Sequence, residues 1–183
     1  TYEFYLESDA QSVVDKFIEN YNSKITDEMK QRAKTLGYTM DQMMTLASVI
    51  QKECDADIDE CANVSSVFHN RLKDPASFPK LESDVTTFYI SQSLKDVIGY
   101  QDGVALENQN GEVKKYMELY STYYRSGLPV GPICNPGLKA INAALHPAET
   151  NYVFFLTDES GEHFYYASTI AEHNANGVKA GLF

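Results

Sequence analysis

The chain has 183 residues, 43% of them hydrophobic, which is enough to bury one substantial core. Its formal net charge of -11 would repel the phosphate backbone of nucleic acids and anionic lipid, which argues against a nucleic-acid partner. No run approaches the roughly 20 apolar residues that a membrane-spanning helix requires. The composition therefore predicts one globular domain over residues 1–183.

Helices are predicted throughout the first half of the chain. Apolar residues at helical spacing indicate one helix over residues 9–22, and a more polar helix is expected over residues 26–36. Thr39 and Asp57 each stand three residues before an acid or amide, which is the spacing of a capping box. These boxes predict the start of a third and a fourth helix.

The sequence signals are weaker over residues 78–131. Residues 85–90 fit either a strand or a helix, and residues 101–115 are predicted to form a surface loop or a hairpin insertion. Beyond this region, Asn135 before Pro136 has the pattern of an N-cap followed by a first helical residue. A further helix is therefore predicted to begin there.

An antiparallel hairpin is predicted near the C-terminus. Residues 152–157 are rich in β-branched and aromatic side chains, residues 158–161 have a turn composition, and residues 163–167 return as the second strand. Thr169 is expected to cap a last helix. Helices and antiparallel strands are segregated, so the predicted fold class is α+β, a helical N-terminal half packed with a small antiparallel hairpin.

One carboxylate lies where the third helix should bury an apolar side chain. The next position of its buried stripe is Glu53, and the earlier members are Met43, Leu46, Ala47 and Ile50. Partial burial and the negative end of the helix dipole would both raise the pKa of Glu53, as suits a group that exchanges protons near neutral pH. The alternative is a helix that frays before Glu53 and leaves a solvated charge.

The cysteines and histidines match no metal-binding spacing, so neither a metal site nor a cofactor is predicted. Cys54 and Cys61 flank the turn between the third and fourth helices, where they form either a disulfide or buried thiols. His163 on the hairpin and His173 on the last helix either converge on one cleft or are ordinary surface or core groups.

Several short motifs are spread over about residues 1–175. They read LASVIQKE (46–53), VFHNRL (67–72), LESDVT (81–86), YSTY and GLP (120–129), GPICNPG (131–137), ALHPA (144–148) and AEHN (171–174). In this order they resemble the endolytic murein transglycosylases of the MltG (YceG-like) type, which cut the glycan strands of bacterial peptidoglycan.

The resemblance implies the catalytic domain of such an enzyme, with Glu53 as its general acid and base. Glu53 corresponds to the second Glu of the family's E-K-E segment, whose first Glu is Gln51 here. Similar proteins cleave the β-1,4 bond between N-acetylmuramic acid and N-acetylglucosamine within the strand, and the muramoyl C6 hydroxyl then closes a 1,6-anhydro ring. The helix pattern and the resemblance therefore indicate the same residue.

The resemblance also implies an environment for this domain. Similar proteins have an N-terminal membrane helix and a LysM-like subdomain, both expected before Thr1, and they hold the catalytic part on the extracytoplasmic side of the cell membrane. That location favours a Cys54–Cys61 disulfide. The implied partners are peptidoglycan glycan strands and the penicillin-binding proteins of wall elongation. The residues expected to hold saccharides or to orient the acid are Asn70, Asp84, Tyr123, Asn135, His163 and Asn174.

The sequence departs from the family pattern in ways that leave alternatives open. Glu82 and Val85 replace a Gln and a Pro, which affects the groove rather than the acid. One alternative is a muramidase that hydrolyses the same bond with water activated by Asp84. Another is a noncatalytic peptidoglycan-binding module in which Glu53 is only a charge at a helix end.

Overall fold

The computed structural model describes residues 2–182, so Thr1 and Phe183 lie outside the description. By packing, the chain divides into two compact units, the first ending at Met40 and the second beginning at Asp41. The predicted α+β class is confirmed, because a two-stranded antiparallel sheet accompanies a largely helical chain. The prediction of a single catalytic domain over residues 1–183 stays a prediction. Within residues 2–182, no helix combines the length and the apolarity that crossing a bilayer requires.

The first unit contains α1 (Ala10–Lys24) and α2 (Asp27–Thr35), which confirms both predicted helices. Asp9 and Thr26 cap these helices through side-chain oxygens that accept backbone N–H groups of the first turn. Helix α1 buries none of its residues.

Helix α3 (Met40–Glu53) leads into the second unit, and α4 (Ile58–Lys73) follows it. Every member of the predicted apolar stripe on α3 is fully buried. Asp57 caps α4, as its capping-box pattern predicts. Helix α4 packs against α8 (Leu138–Leu145), and both helices contribute buried apolar side chains to the core.

The segment with weak sequence signals folds into short helical pieces. Residues 85–90 lie in α5 (Asp84–Phe88) and in the π-helical turn that follows (Tyr89–Ser93), so the helical alternative is the one observed. Helix α6 (Lys95–Ile98) comes next and ends at Gly99, whose φ of 69° is left-handed.

The prediction of a surface loop or hairpin insertion over residues 101–115 is confirmed as a loop over residues 101–110 and is wrong over residues 111–115, which are helical. This stretch holds a 3-10 turn (Leu106–Asn108) and the first part of α7 (Gly111–Tyr120). Asparagine is common in turns, but Asn110 is the N-cap of α7 and accepts a backbone N–H of its first turn. The helix forms because its apolar face enters a small buried cluster. The cluster consists of Ile90, Ile98, Val113 and Met117.

Helix α8 begins later than predicted, so the assignment of Asn135 as its N-cap is wrong. The first helical residue is Leu138 and Gly137 occupies the N-cap position. The Gly137 N–H donates to the side-chain carbonyl of Gln51 at 2.9 Å. A bond to another helix thus satisfies the first free N–H of α8, and no local pattern indicates it.

The predicted hairpin is confirmed as β1 (Phe154–Thr157) and β2 (Phe164–Ala167), which pair antiparallel with Phe154 opposite Ala167. Helix α9 (Ile170–Lys179) starts after its predicted cap and packs against both strands. The hairpin and α9 together form one wall beside the end of α3, where Glu53 lies.

Candidate active site

Glu53 is the last residue of α3, and its side chain is half-buried. The helix does not fray before it, because the Cys54 N–H still donates to the Ile50 carbonyl at 2.9 Å. The Ser83 hydroxyl donates a hydrogen bond to Glu53 Oε1 at 2.5 Å. Burial raises the pKa of Glu53, the Ser83 bond opposes that rise, and the negative charge of Asp84 adds to it. Burial has the largest effect, so the protonated acid is favoured.

Glu53 lines a cavity of about 700 Å³, the main cavity. Residues of α4, the segment 81–84 and the hairpin strand β1 form its walls. Phe154 and Phe155 supply aromatic surface, and the carboxylate of Asp84 supplies a polar edge. A sugar ring has apolar faces and a polar rim, so this mixture suits a saccharide.

A second cavity of about 490 Å³, the side cavity, adjoins the same carboxylate. It is lined by the last residues of α3, by the turn that follows, and by the tip of the hairpin. Glu53 and Thr157 belong to the linings of both cavities. Glu53 therefore borders two spaces, each large enough for part of a chain molecule.

Asp84 and Tyr123, both predicted site residues, join Glu53 in the main cavity. The Tyr123 hydroxyl donates to Asp84 Oδ1 at 2.8 Å. Burial and the bond to Asp84 raise the pKa of Tyr123 to about 12. Tyr123 therefore keeps its proton at neutral pH and acts as a donor to the carboxylate.

Arg71 is a cavity residue that sequence reasoning missed, although it lies in the 67–72 motif. Its guanidinium is buried, donates to the carbonyl oxygens of Val153 and Leu81 at 2.7 and 3.1 Å, and pairs with Glu82 at 3.1 Å. One cation thus ties the approach to β1 to the segment that contains Ser83. The one sequence signal for this structural role of Arg71 is its position in the 67–72 motif.

Cys54 and Cys61 form a disulfide, with their Cα atoms 5.5 Å apart. This resolves the sequence alternatives in favour of the bridge, while Cys134 takes no part in a disulfide. Lys139 donates to the Ala56 carbonyl at 2.6 Å and so braces the bridged turn from α8. Because Cys54 follows Glu53 directly, the bridge holds the backbone next to the acid.

The structure does not bring the other predicted site residues into either cavity lining. The Asn70 amide donates to two backbone carbonyls, at 3.0 and 2.9 Å, and so holds the segment before β1. His163 Nδ1 lies 2.8 Å from an Asp158 oxygen at the exposed hairpin tip. Asn135 and Asn174 are exposed. Their proposed roles in holding saccharides stay predictions.

His173, the neighbour of Asn174, does line the main cavity. Its ring stacks on Phe154 with ring centres 5.1 Å apart, and burial lowers its pKa, which favours the neutral imidazole. Of the two histidines considered for a common cleft, only His173 reaches the cavity. Among residues 2–182, no three His, Cys, Asp or Glu side chains are grouped to hold a metal ion.

Comparison with known sequences assigns the class of protein. The chain belongs to the YceG-like family, whose sequence profile matches residues 1–179. It is 33% identical over 164 residues to a Bacillus subtilis (strain 168) protein named endolytic murein transglycosylase, covering 90% of this chain and 41% of that protein. A Streptococcus pneumoniae serotype 2 (strain D39) protein of the same name is 26% identical, with coverage of 90% and 27%. The chain thus spans less than half the length of these relatives.

A solved structure agrees with the family assignment. The crystal structure of a yceG-like protein from Listeria monocytogenes superposes with a TM-score of 0.72 at 26% sequence identity. The match covers 96% of this chain and 52% of the Listeria chain. The fold described above is therefore a YceG-like fold.

Proposed function

We propose that this chain is the catalytic part of an endolytic lytic transglycosylase that acts on peptidoglycan. It cleaves the β-1,4 bond between N-acetylmuramic acid and N-acetylglucosamine and leaves 1,6-anhydro-muramic acid ends. The observation that carries the proposal is Glu53, a half-buried carboxyl with a raised pKa that lines both cavities. Relatives named endolytic murein transglycosylase support the choice of substrate.

In this mechanism Glu53 acts first as an acid and then as a base. The protonated carboxyl gives its proton to the glycosidic oxygen, and the N-acetylglucosamine side leaves with a new 4-hydroxyl group. The ionised carboxylate then takes the proton of the muramoyl C6 hydroxyl as that oxygen bonds to C1. Atoms balance without water, and Glu53 ends protonated, so a pKa near the working pH serves both steps.

One carboxyl group is sufficient for this reaction because the nucleophile belongs to the substrate. A glycosidase of the hydrolysing kind needs a second carboxylate to attack the sugar or to activate water. The C6 hydroxyl is already tethered to the reacting carbon, so its attack has the entropic advantage of an intramolecular step.

The paired cavities support cleavage within a strand. Because Glu53 and Thr157 line both spaces, sugar units on either side of the broken bond have room next to the acid. In an enzyme that acts only at chain ends, the binding space on one side of the acid would be closed. We extend the proposal to the location and partners of the whole protein: the outer face of the cell membrane and the penicillin-binding proteins of wall elongation.

The test is mass spectrometry of purified peptidoglycan digested by this protein and, in parallel, by Glu53→Gln. We expect soluble fragments with anhydro-muramic ends from the parent, and a loss of about 1,000-fold or more in the variant, which has no proton to give. The matched control is Glu149→Gln, on the exposed surface outside both cavity linings. Strand binding without release of any fragment by the parent would instead indicate a binding module.

A hydrolysing muramidase is the second candidate, and the presence of Asp84 in the main cavity favours it. In that reaction Glu53 is again the acid, while Asp84 activates water. The products differ by the mass of one water molecule, so the same spectra decide between them. Reducing muramic acid ends would identify hydrolysis.

A further inference from the structure

We propose that Ser83 is a positioning residue that fixes the carboxyl of Glu53 and assigns its transferable proton to Oε2. This inference deepens the proposed function and rests on it. It starts from the 2.5 Å hydrogen bond that the Ser83 hydroxyl donates to Glu53 Oε1. In a protonated carboxyl only the carbonyl oxygen is a good acceptor, so a donor at Oε1 leaves the acid proton on Oε2.

The main chain of Ser83 is held at both of its polar groups. Its N–H donates to Thr122 Oγ1 at 2.9 Å, and its carbonyl accepts from Thr86 Oγ1 at 2.6 Å. The two threonine hydroxyl oxygens are 3.1 Å apart, and the Thr122 N–H donates to Thr86 Oγ1 at 3.0 Å. Ser83, Thr86 and Thr122 are all buried. We call this arrangement the hydroxyl network.

The protons of the hydroxyl network can be assigned without conflict. Thr86 donates its hydroxyl proton to the Ser83 carbonyl, so the proton between the two threonines comes from Thr122, whose hydroxyl also lies 3.4 Å from the Ser83 carbonyl. Thr122 Oγ1 accepts only from the Ser83 N–H. The Ser83 hydroxyl takes no part in these bonds, and the one hydrogen bond that the described residues give it is the one it donates to Glu53 Oε1.

The backbone of the residue before Ser83 also indicates that Ser83 is held in position against Glu53. Glu82 is the one non-glycine residue with a positive φ, 55°, among those described. A left-handed backbone at such a residue costs free energy and persists where surrounding contacts enforce it. Here the Glu82 N–H donates to the Thr122 carbonyl at 3.3 Å, and Arg71 pairs with its carboxylate at 3.1 Å. The strained residue turns the chain so that Ser83 meets Glu53.

The Ser83 bond also acts on the ionised form of the acid. It lowers the pKa of Glu53 and so offsets part of the rise caused by burial and by Asp84. Without it the carboxyl would have a higher pKa and would be a weaker acid toward the glycosidic oxygen. Ser83 therefore strengthens the acid that the first step needs, and its bond to Oε1 holds the carboxylate in place for the second step.

Removal of the Ser83 hydroxyl leaves the other titratable groups of the two cavities in place. Tyr123 and His173 also line the main cavity, and the pKa shifts of both favour their neutral forms. The charged residues in the two linings besides Glu53 are Lys52, Asp55, Arg71, Glu82, Asp84 and Glu162. A change in the titration of Glu53 in a Ser83 variant would therefore report the loss of this bond.

The experiment compares the parent with Ser83→Ala and Ser83→Cys. The cysteine side chain keeps nearly the same shape but is a weak donor, so it also covers the case of an unstable alanine variant. Carbon-13 NMR gives the pKa of the Glu53 carboxyl, assigned with Glu53→Gln. Initial rates on uncrosslinked glycan strands give kcat and KM against pH. Ser66→Ala is the matched control, because Ser66 is a buried serine bonded to Thr150 at 2.7 Å.

We expect both Ser83 variants to raise the pKa of Glu53, to move the basic limb of the kcat profile to higher pH, and to lower kcat about tenfold with KM unchanged. Ser66→Ala should change neither profile nor pKa. An unchanged Glu53 pKa in both Ser83 variants would overturn the inference. If the parent releases no fragments, the proposed function fails, and the NMR titration still decides whether Ser83 controls Glu53.

Discussion

Glu53 is held on two sides, by the hydroxyl network and by the Cys54–Cys61 disulfide, and the two act in different ways. On one side the hydroxyl network presents Ser83 to the carboxyl through hydrogen bonds between residues 30 and 39 positions apart in the sequence. On the other side the Cys54–Cys61 disulfide closes a turn across 7 positions. The network contacts the reacting group and affects its proton, whereas the disulfide holds the main chain next to it.

The difference teaches that the main chain at the acid and the carboxyl group of the acid are controlled separately. A covalent local bridge limits where the last turn of α3 lies, and it does so in the unfolded chain as well, by reducing its freedom. The hydroxyl network exists only after α5 and the segment around Thr122 have packed together. Changes on the two sides are therefore expected to alter different measurable quantities.

The largest predicted effect in this comparison is on stability. Cys54→Ala combined with Cys61→Ala should lower the free energy of unfolding by about 2–3 kcal/mol, since it opens a small closed loop. Thermal and urea unfolding measure this loss. The pKa of Glu53 should stay close to that of the parent because Ser83 remains.

Cys134→Ala is the control for that experiment, because Cys134 takes no part in a disulfide. Treatment with dithiothreitol should destabilise both the parent and the Cys134 variant, and leave the double variant unchanged. A double variant as stable as the parent would show that packing around the turn, rather than the bridge, supports α3.

The next prediction concerns Asp84→Asn. The charge of Asp84 raises the pKa of Glu53, so its removal should lower that pKa and move the basic limb of the kcat profile to lower pH. The shift is opposite in sign to that expected for Ser83→Ala. We expect a loss of about tenfold near neutral pH, measured as initial rates on glycan strands from acid to alkaline pH.

This variant also separates the two candidate reactions. In a transglycosylase Asp84 changes only the titration of Glu53, so activity should recover at lower pH. In a hydrolase Asp84 would activate water, and the loss would be about 1,000-fold or more at every pH.

The smallest effect is expected for Tyr123→Phe. Tyr123 remains protonated at neutral pH because burial and Asp84 raise its pKa to about 12, and it donates one hydrogen bond at a partly exposed position. Loss of that bond should cost about threefold in kcat, in line with the modest net value of such bonds. A loss of about 100-fold, with a matching rise in KM, would mean that the tyrosine hydroxyl contacts the saccharide.

Local patterns were reliable where neighbouring residues decide the structure. Capping boxes at Asp57 and Thr169 begin the helices they predict, and the hairpin follows its strand and turn residues. Local patterns failed over residues 111–115 and at Asn135. In those places the outcome depends on burial against distant side chains, or on a bond to another helix.

The sequence by itself determined the α+β class, the buried stripe of α3 and the anomalous Glu53 at its end, because helical periodicity is a property of consecutive residues. Only the tertiary structure decided which groups surround that carboxyl. Ser83, Arg71 and His173 reach the site from separate elements, while Asn70 supports the backbone. The physical reason is that hydrogen bonds and burial depend on distances in space, which the order of residues along the chain does not specify.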